Sequence, residues 1–181
     1  IDPHRALFEF RGALFKSILN YTPIGTPTVV FRRRRFGEMR FIESIRSCED
    51  LLFWLRVAKA QWPVAFGADV QATYGKGVNI YGSLIWNSNE GLQECVNWSV
   101  FLAETRRRFH LDADERALIR RKAIENREKF VRALLSMLRH RKTVDMSTCA
   151  KFVRMNPGIL GQFVRVASSE VRVRTKNGAS A

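Results

Sequence analysis

Residues 113–140 carry the pattern that most constrains how this chain folds. Leu118, Ile119, Ile124, Val131, Leu134, Leu135 and Leu138 line one side at helical spacing, and Arg and Lys residues line the other. Residues 91–108 and 147–154 also read as helices, the second stopped by Asn156-Pro157-Gly158. Asp112 or Asp114 is placed to cap the start of the long helix. From about residue 90 onward the chain is therefore predicted to be wholly helical.

The first ninety residues differ in character. Leu7, Phe8, Phe10, Leu14, Phe15, Ile18 and Leu19 predict a helix over 4–21, broken by the segment Pro23 to Pro27. Thr28-Val29-Val30-Phe31 is short, β-branched and apolar, and reads as a strand. Arg32 to Arg35 follow and read as a solvated charge run. Residues 36–47 suit a loop with a short helical turn. A helix begins at Glu49, with Leu51, Leu52, Leu55, Val57 and Ala58 on its apolar face. Val64 to Tyr74 reads as one or two strands, and Tyr74-Gly75-Lys76-Gly77-Val78-Asn79 as a glycine-rich loop. The domain organisation predicted is a mixed α/β part over 1–90, a helical extension over 91–165 and a loose tail over 166–181.

Charge limits the partners. The 181 residues carry 31 Lys and Arg against 17 Asp and Glu, a net charge of +14. Such an excess favours polyanions, whether nucleic acid, anionic lipid or phosphorylated small molecules. The three cysteines, Cys48, Cys95 and Cys149, are widely spaced and read as reduced thiols of a cytosolic protein. The scattered His4, His110 and His140 offer no zinc-site spacing. No apolar run is long enough for a transmembrane helix.

The pair Glu49-Asp50 is the first place where chemistry can sit. Two carboxylates at a helix start complement its dipole, and that reading alone explains them. A catalytic reading needs one of them ionised, facing a cleft and able to take a proton. The residues alone leave both readings open.

Order and spacing over residues 15–80 add a resemblance. Thr26-Pro27-Thr28-Val29-Val30-Phe31-Arg32-Arg33, then Phe41-Ile42-Glu43-Ser44, then Glu49-Asp50-Leu51-Leu52-Phe53-Trp54-Leu55-Arg56, and finally Tyr74, resemble the C-terminal half of the family-2 glycosyltransferase domain of GT-A type. The resemblance implies an α/β fold: the acceptor-side half of a GT-A domain, followed by the helical extension. It implies an inverting transferase that moves a sugar from a nucleotide-sugar donor to a saccharide or lipid-linked acceptor. Asp50 would deprotonate the acceptor hydroxyl, with Glu49 supporting it. Trp54, Thr26 and Thr28 would lie on the acceptor side. Lys76, Gly77 and Asn79 would approach the donor diphosphate.

Three departures from the family pattern matter. Ile42 replaces the Asp usual in the turn. The segment after Tyr74 reads Gly-Lys-Gly-Val-Asn where the family often has Arg and His. Asp112-Ala113-Asp114, the sole Asp-x-Asp, lies downstream of Asp50 and reads as a helix cap. The donor half and its divalent metal, Mg or Mn, are therefore expected upstream of Ile1, with no metal ligands in this chain and no activity from it alone. Two other functions stay open. One is a basic nucleic-acid module, disfavoured because aromatics do not interleave with the basic runs. The other is attachment to an anionic membrane surface through helix 113–140, at the cytoplasmic face.

Overall fold

Helix α3, Glu49–Lys59, forms where the sequence places it, with Glu49 and Asp50 in the first turn and Arg56 and Lys59 in the last, as the helix dipole favours. In the computed structural model, residues 7–45, 47–70, 72–73, 86–166 and 168 are described. Before α3 come strand β1, Leu7–Glu9, helix α1, Leu14–Tyr21, a 3₁₀ turn at Thr26–Thr28 and a single helical turn α2, Arg33–Phe36. After it come strand β2, Ala65–Gly67, and helices α4, Asn89–Arg108, α5, Ala113–Arg139, and α6, Met146–Met155. Residues 159–166 are also helical.

The α/β architecture implied by the resemblance is overturned. Helix accounts for 63% of the described residues and strand for 4%, all of it in one two-stranded sheet. The reason lies in how each structure satisfies its backbone. A helix closes its hydrogen bonds within its own segment, whereas a strand needs a partner. Residues 28–31 find none: Thr26-Pro27-Thr28 curls into the 3₁₀ turn, and Val30 is left 97% exposed. Among the described residues of 64–74, strand pairing is confined to Ala65–Gly67, antiparallel to β1 with Phe8 opposite Phe66. Those two rings stack at 5.6 Å. The helix predicted over 4–21 begins only at Leu14, because Leu7–Glu9 is taken up by that pairing.

The chain divides into two units, Ile1–Val78 with Leu111–Leu118, and Asn79–His110 with Ile119–Ala181. In the first, Phe15, Ile18 and Leu19 of α1 are buried, as are Leu52, Phe53, Trp54, Leu55 and Val57 of α3. Lys59 reaches from α3 over the Phe15 ring at 4.4 Å and clasps the buried Glu115 carboxylate at 2.7 and 2.8 Å. Lys16 pairs with Asp114 at 2.7 Å.

The start of α5 carries a reciprocal cap. Asp112 Oδ1 accepts from the Glu115 amide at 2.7 Å, and Glu115 Oε2 accepts from the Asp112 amide at 2.9 Å. Asp112-Ala113-Asp114 is thus occupied by a helix start and by Lys16.

The second unit is built on a core of Leu92, Cys95, Val96, Phe130, Val131, Met137, Cys149, Phe152, Ile159 and Val166. Phe130 and Phe152 lie face to face at 3.8 Å. One polar group sits among them. Ser99 Oγ donates to the Cys95 carbonyl at 3.0 Å and accepts from Asn126 Nδ2 and Asn156 Nδ2, each at 3.1 Å. Asn126 also donates to the Cys95 carbonyl, and Asn156 to the Phe152 carbonyl. This network ties α4, α5 and the end of α6 in one register. The apolar stripe of α5 is largely spent in packing: Ile119, Phe130, Val131 and Met137 are fully buried, and only Ile124 and Leu138 of the large ones are exposed.

Candidate functional site

Asp50 and Trp54 are one helical turn apart on α3, so their side chains share a face. Thr26, on the 3₁₀ turn, bridges them. Its hydroxyl donates to Asp50 Oδ2 at 2.9 Å and accepts from the indole Nε1–H of the buried Trp54 at 3.1 Å. One hydroxyl thus uses its donor on the carboxylate and a lone pair on the indole. The other carboxylate oxygen, Oδ1, accepts from the Leu51 amide at 2.8 Å. Asp50 therefore serves the helix start through one oxygen and Thr26 through the other. Capping and presentation of a carboxylate coexist here. Each oxygen keeps a further lone pair for a hydroxyl donor, and Asp50 is only half-buried.

The helix enters this site through a constrained residue. Cys48 has φ of 64° and gives no side-chain cap, which leaves the Leu51 amide to Asp50. Behind the site Phe53 anchors an aromatic group, stacked on Phe36 at 5.7 Å and Phe41 at 4.5 Å and edge-on to Trp54 at 5.0 Å.

An open cleft of about 1020 Å³ adjoins this group within the first unit. Trp54 and Thr28 line it, together with Phe31, Phe36 and Trp62, and Arg32 and Arg35 add positive charge. Asp50, Glu49 and Thr26 do not line it; the link between cleft and carboxylate is the Trp54 side chain. Arg32 and Arg35, read from sequence as a solvated run, have no carboxylate partner among the described residues. The sequence signal for their placement is the pair of aromatics that brackets the run, Phe31 and Phe36, whose rings meet at 4.3 Å.

Of the other residues singled out, Glu49 opens α3 half-buried and stays outside the hydrogen-bonded group. Thr28 donates to the Gly25 carbonyl at 2.7 Å, closing the 3₁₀ turn, and is exposed. Lys76, Gly77 and Asn79 lie outside the described residues, as does Tyr74. Among the described residues no group of three or more His, Cys, Asp or Glu is arranged to hold a metal ion. The divalent metal implied by the resemblance has no fitting donor set there, and no step is assigned to it. No helix among the described residues is long and apolar enough to cross a membrane.

No protein family, curated protein or solved structure matches this chain.

Proposed function

We propose that this chain supplies the acceptor-activating carboxylate of an inverting, nucleotide-sugar-dependent glycosyltransferase, with Asp50 as the base. The observation that carries the reading is the linked group Thr26–Asp50–Trp54, which holds one half-buried carboxylate beside an aromatic cleft. The reading rests on that group and on the order of the motifs.

In this mechanism an acceptor hydroxyl, of a saccharide or a lipid-linked saccharide, donates to a free lone pair of Asp50. As its oxygen attacks the anomeric carbon, the proton passes to Asp50. The bond from that carbon to the diphosphate oxygen breaks on the opposite face, and the electron pair leaves with the nucleoside diphosphate. One displacement inverts the anomeric configuration. Thr26 fixes the carboxylate rotamer, and Trp54 fixes Thr26. The aromatic walls of the cleft, Phe31, Phe36 and Trp62, offer surfaces of the kind on which sugar rings pack. Donor binding is assigned to residues beyond those described.

The test is sugar transfer by a polypeptide containing this chain, comparing wild type with Asp50→Asn. Positioned general bases contribute roughly 10²- to 10⁴-fold. A loss of that size in a folded variant is the predicted result. Undiminished transfer ends the assignment.

A further inference from the structure

A second feature, independent of Asp50, lies in the unit Asn79–His110 with Ile119–Ala181. That unit holds eighteen Lys and Arg against seven Asp and Glu, so eleven of the fourteen net positive charges of the chain belong to it. Helix α6 and the helical residues 159–166 also expose apolar side chains that the core does not use. On α6 the buried residues are Thr148, Cys149 and Phe152. Met146 and Val153, at i and i+7, point to solvent, 72% and 46% exposed. Over 159–166 the buried residues are Ile159, Gln162 and Val166, while Leu160 and Val164, at i and i+4, are 74% and 68% exposed.

Each segment thus carries two apolar stripes, one packed and one free. Exposed Arg154 lies to one side of the free stripe of α6 and exposed Arg165 to one side of that of 159–166.

We propose that these two segments form a docking face for an anionic lipid surface, with Leu160, Val164, Met146 and Val153 entering the acyl boundary and Arg154 and Arg165 contacting headgroups. Charge complementarity selects the partner: a strongly basic unit is attracted to anionic lipid and repelled by cationic partners. The side chains select lipid over nucleic acid. They are aliphatic, fit to insert among acyl chains and unable to stack on bases. The apolar stripe of α5, by contrast, is consumed in the core.

The experiment is co-sedimentation of the full chain with vesicles of phosphatidylcholine alone or mixed with phosphatidylglycerol. Wild type is expected to pellet with the mixed vesicles and remain in solution with phosphatidylcholine. Leu160→Ser with Val164→Ser alters only exposed positions, and circular dichroism checks that the helices persist. That pair should weaken partitioning roughly tenfold, from lost apolar insertion. Arg154→Glu with Arg165→Glu should weaken it too and flatten its salt dependence. No binding to mixed vesicles overturns the proposal. So does binding unchanged by the serine pair, which would leave charge alone as its cause. If wild type instead self-associates through this stripe, the serine pair dissociates it without changing vesicle binding, and the proposal likewise falls.

Discussion

Replacing Thr26 by Val removes one oxygen and keeps the side-chain shape, so its effects can be traced to two hydrogen bonds. The Trp54 indole N–H loses its acceptor in a residue only 3% exposed, where no solvent replaces it. An orphaned buried donor costs about 1–3 kcal/mol. Asp50 Oδ2 loses a donor as well. A hydrogen bond to a charged group is worth about 1.5–3 kcal/mol, and water at the half-exposed carboxylate recovers part of that. The sum is roughly 2–4 kcal/mol, a large share of the 5–15 kcal/mol typical of a domain. Thr26→Ser keeps the hydroxyl and should cost under about 1 kcal/mol. Urea unfolding followed by circular dichroism gives the totals, and hydrogen exchange of the α3 amides locates the loss. A double-mutant cycle with Trp54→Phe isolates the indole share: in that background Thr26→Val should cost about 1 kcal/mol or more less than in wild type. Thr26→Val within about 0.5 kcal/mol of Thr26→Ser, or a cycle with no coupling, would refute the bridge.

Other perturbations follow from the same structure. Ser99→Ala takes an acceptor from the buried Asn126 and Asn156 amides, each of which keeps one other bond, and should destabilise the second unit by about 2–4 kcal/mol in denaturant titration. Burial pushes the Cys95 thiol up to about 11, so it should react with a thiol reagent at neutral pH only after unfolding, and fast labelling in the native state would contradict its placement. The Glu115 amide bonded to Asp112 holds that carboxyl below its ordinary value. The stability it adds is therefore complete above the ordinary carboxylate value and disappears as pH falls through the depressed one. Asp112→Ala should lower the melting temperature at neutral pH and shrink its fall on acidification; an unchanged acid profile would count against the cap.

What the sequence made legible divides along the range of the interactions involved. α3, α4, α5 and α6 lie where periodicity and caps put them, because their hydrogen bonds and stripes are local. The same local reading failed at Thr28–Phe31 and at Leu7–Glu9. Those residues have equal claim to either structure, and only a partner decides; Phe8 meets Phe66 across fifty-eight positions of sequence. At the site, Asp50 and Trp54 were already on one face by their i, i+4 spacing, whereas the closure by Thr26 spans twenty-four residues and left no periodic trace. The Ser99–Asn126–Asn156 group was missed altogether. Its signal was present as polar residues inside apolar stripes, Asn126 on the core side of α5 above all, but naming their partners requires the packing.

The most direct measurement is the rate of nucleoside diphosphate release and sugar transfer from a panel of uridine-, guanosine- and thymidine-diphosphate sugars. A polypeptide containing this chain would be compared as wild type, Asp50→Asn and Glu49→Gln. With Asp50 as the base, Asp50→Asn falls roughly 100-fold or more in kcat while its circular dichroism spectrum is unchanged. Glu49→Gln, outside the hydrogen-bonded group, falls less. Transfer by Asp50→Asn at the wild-type rate would contradict the assignment.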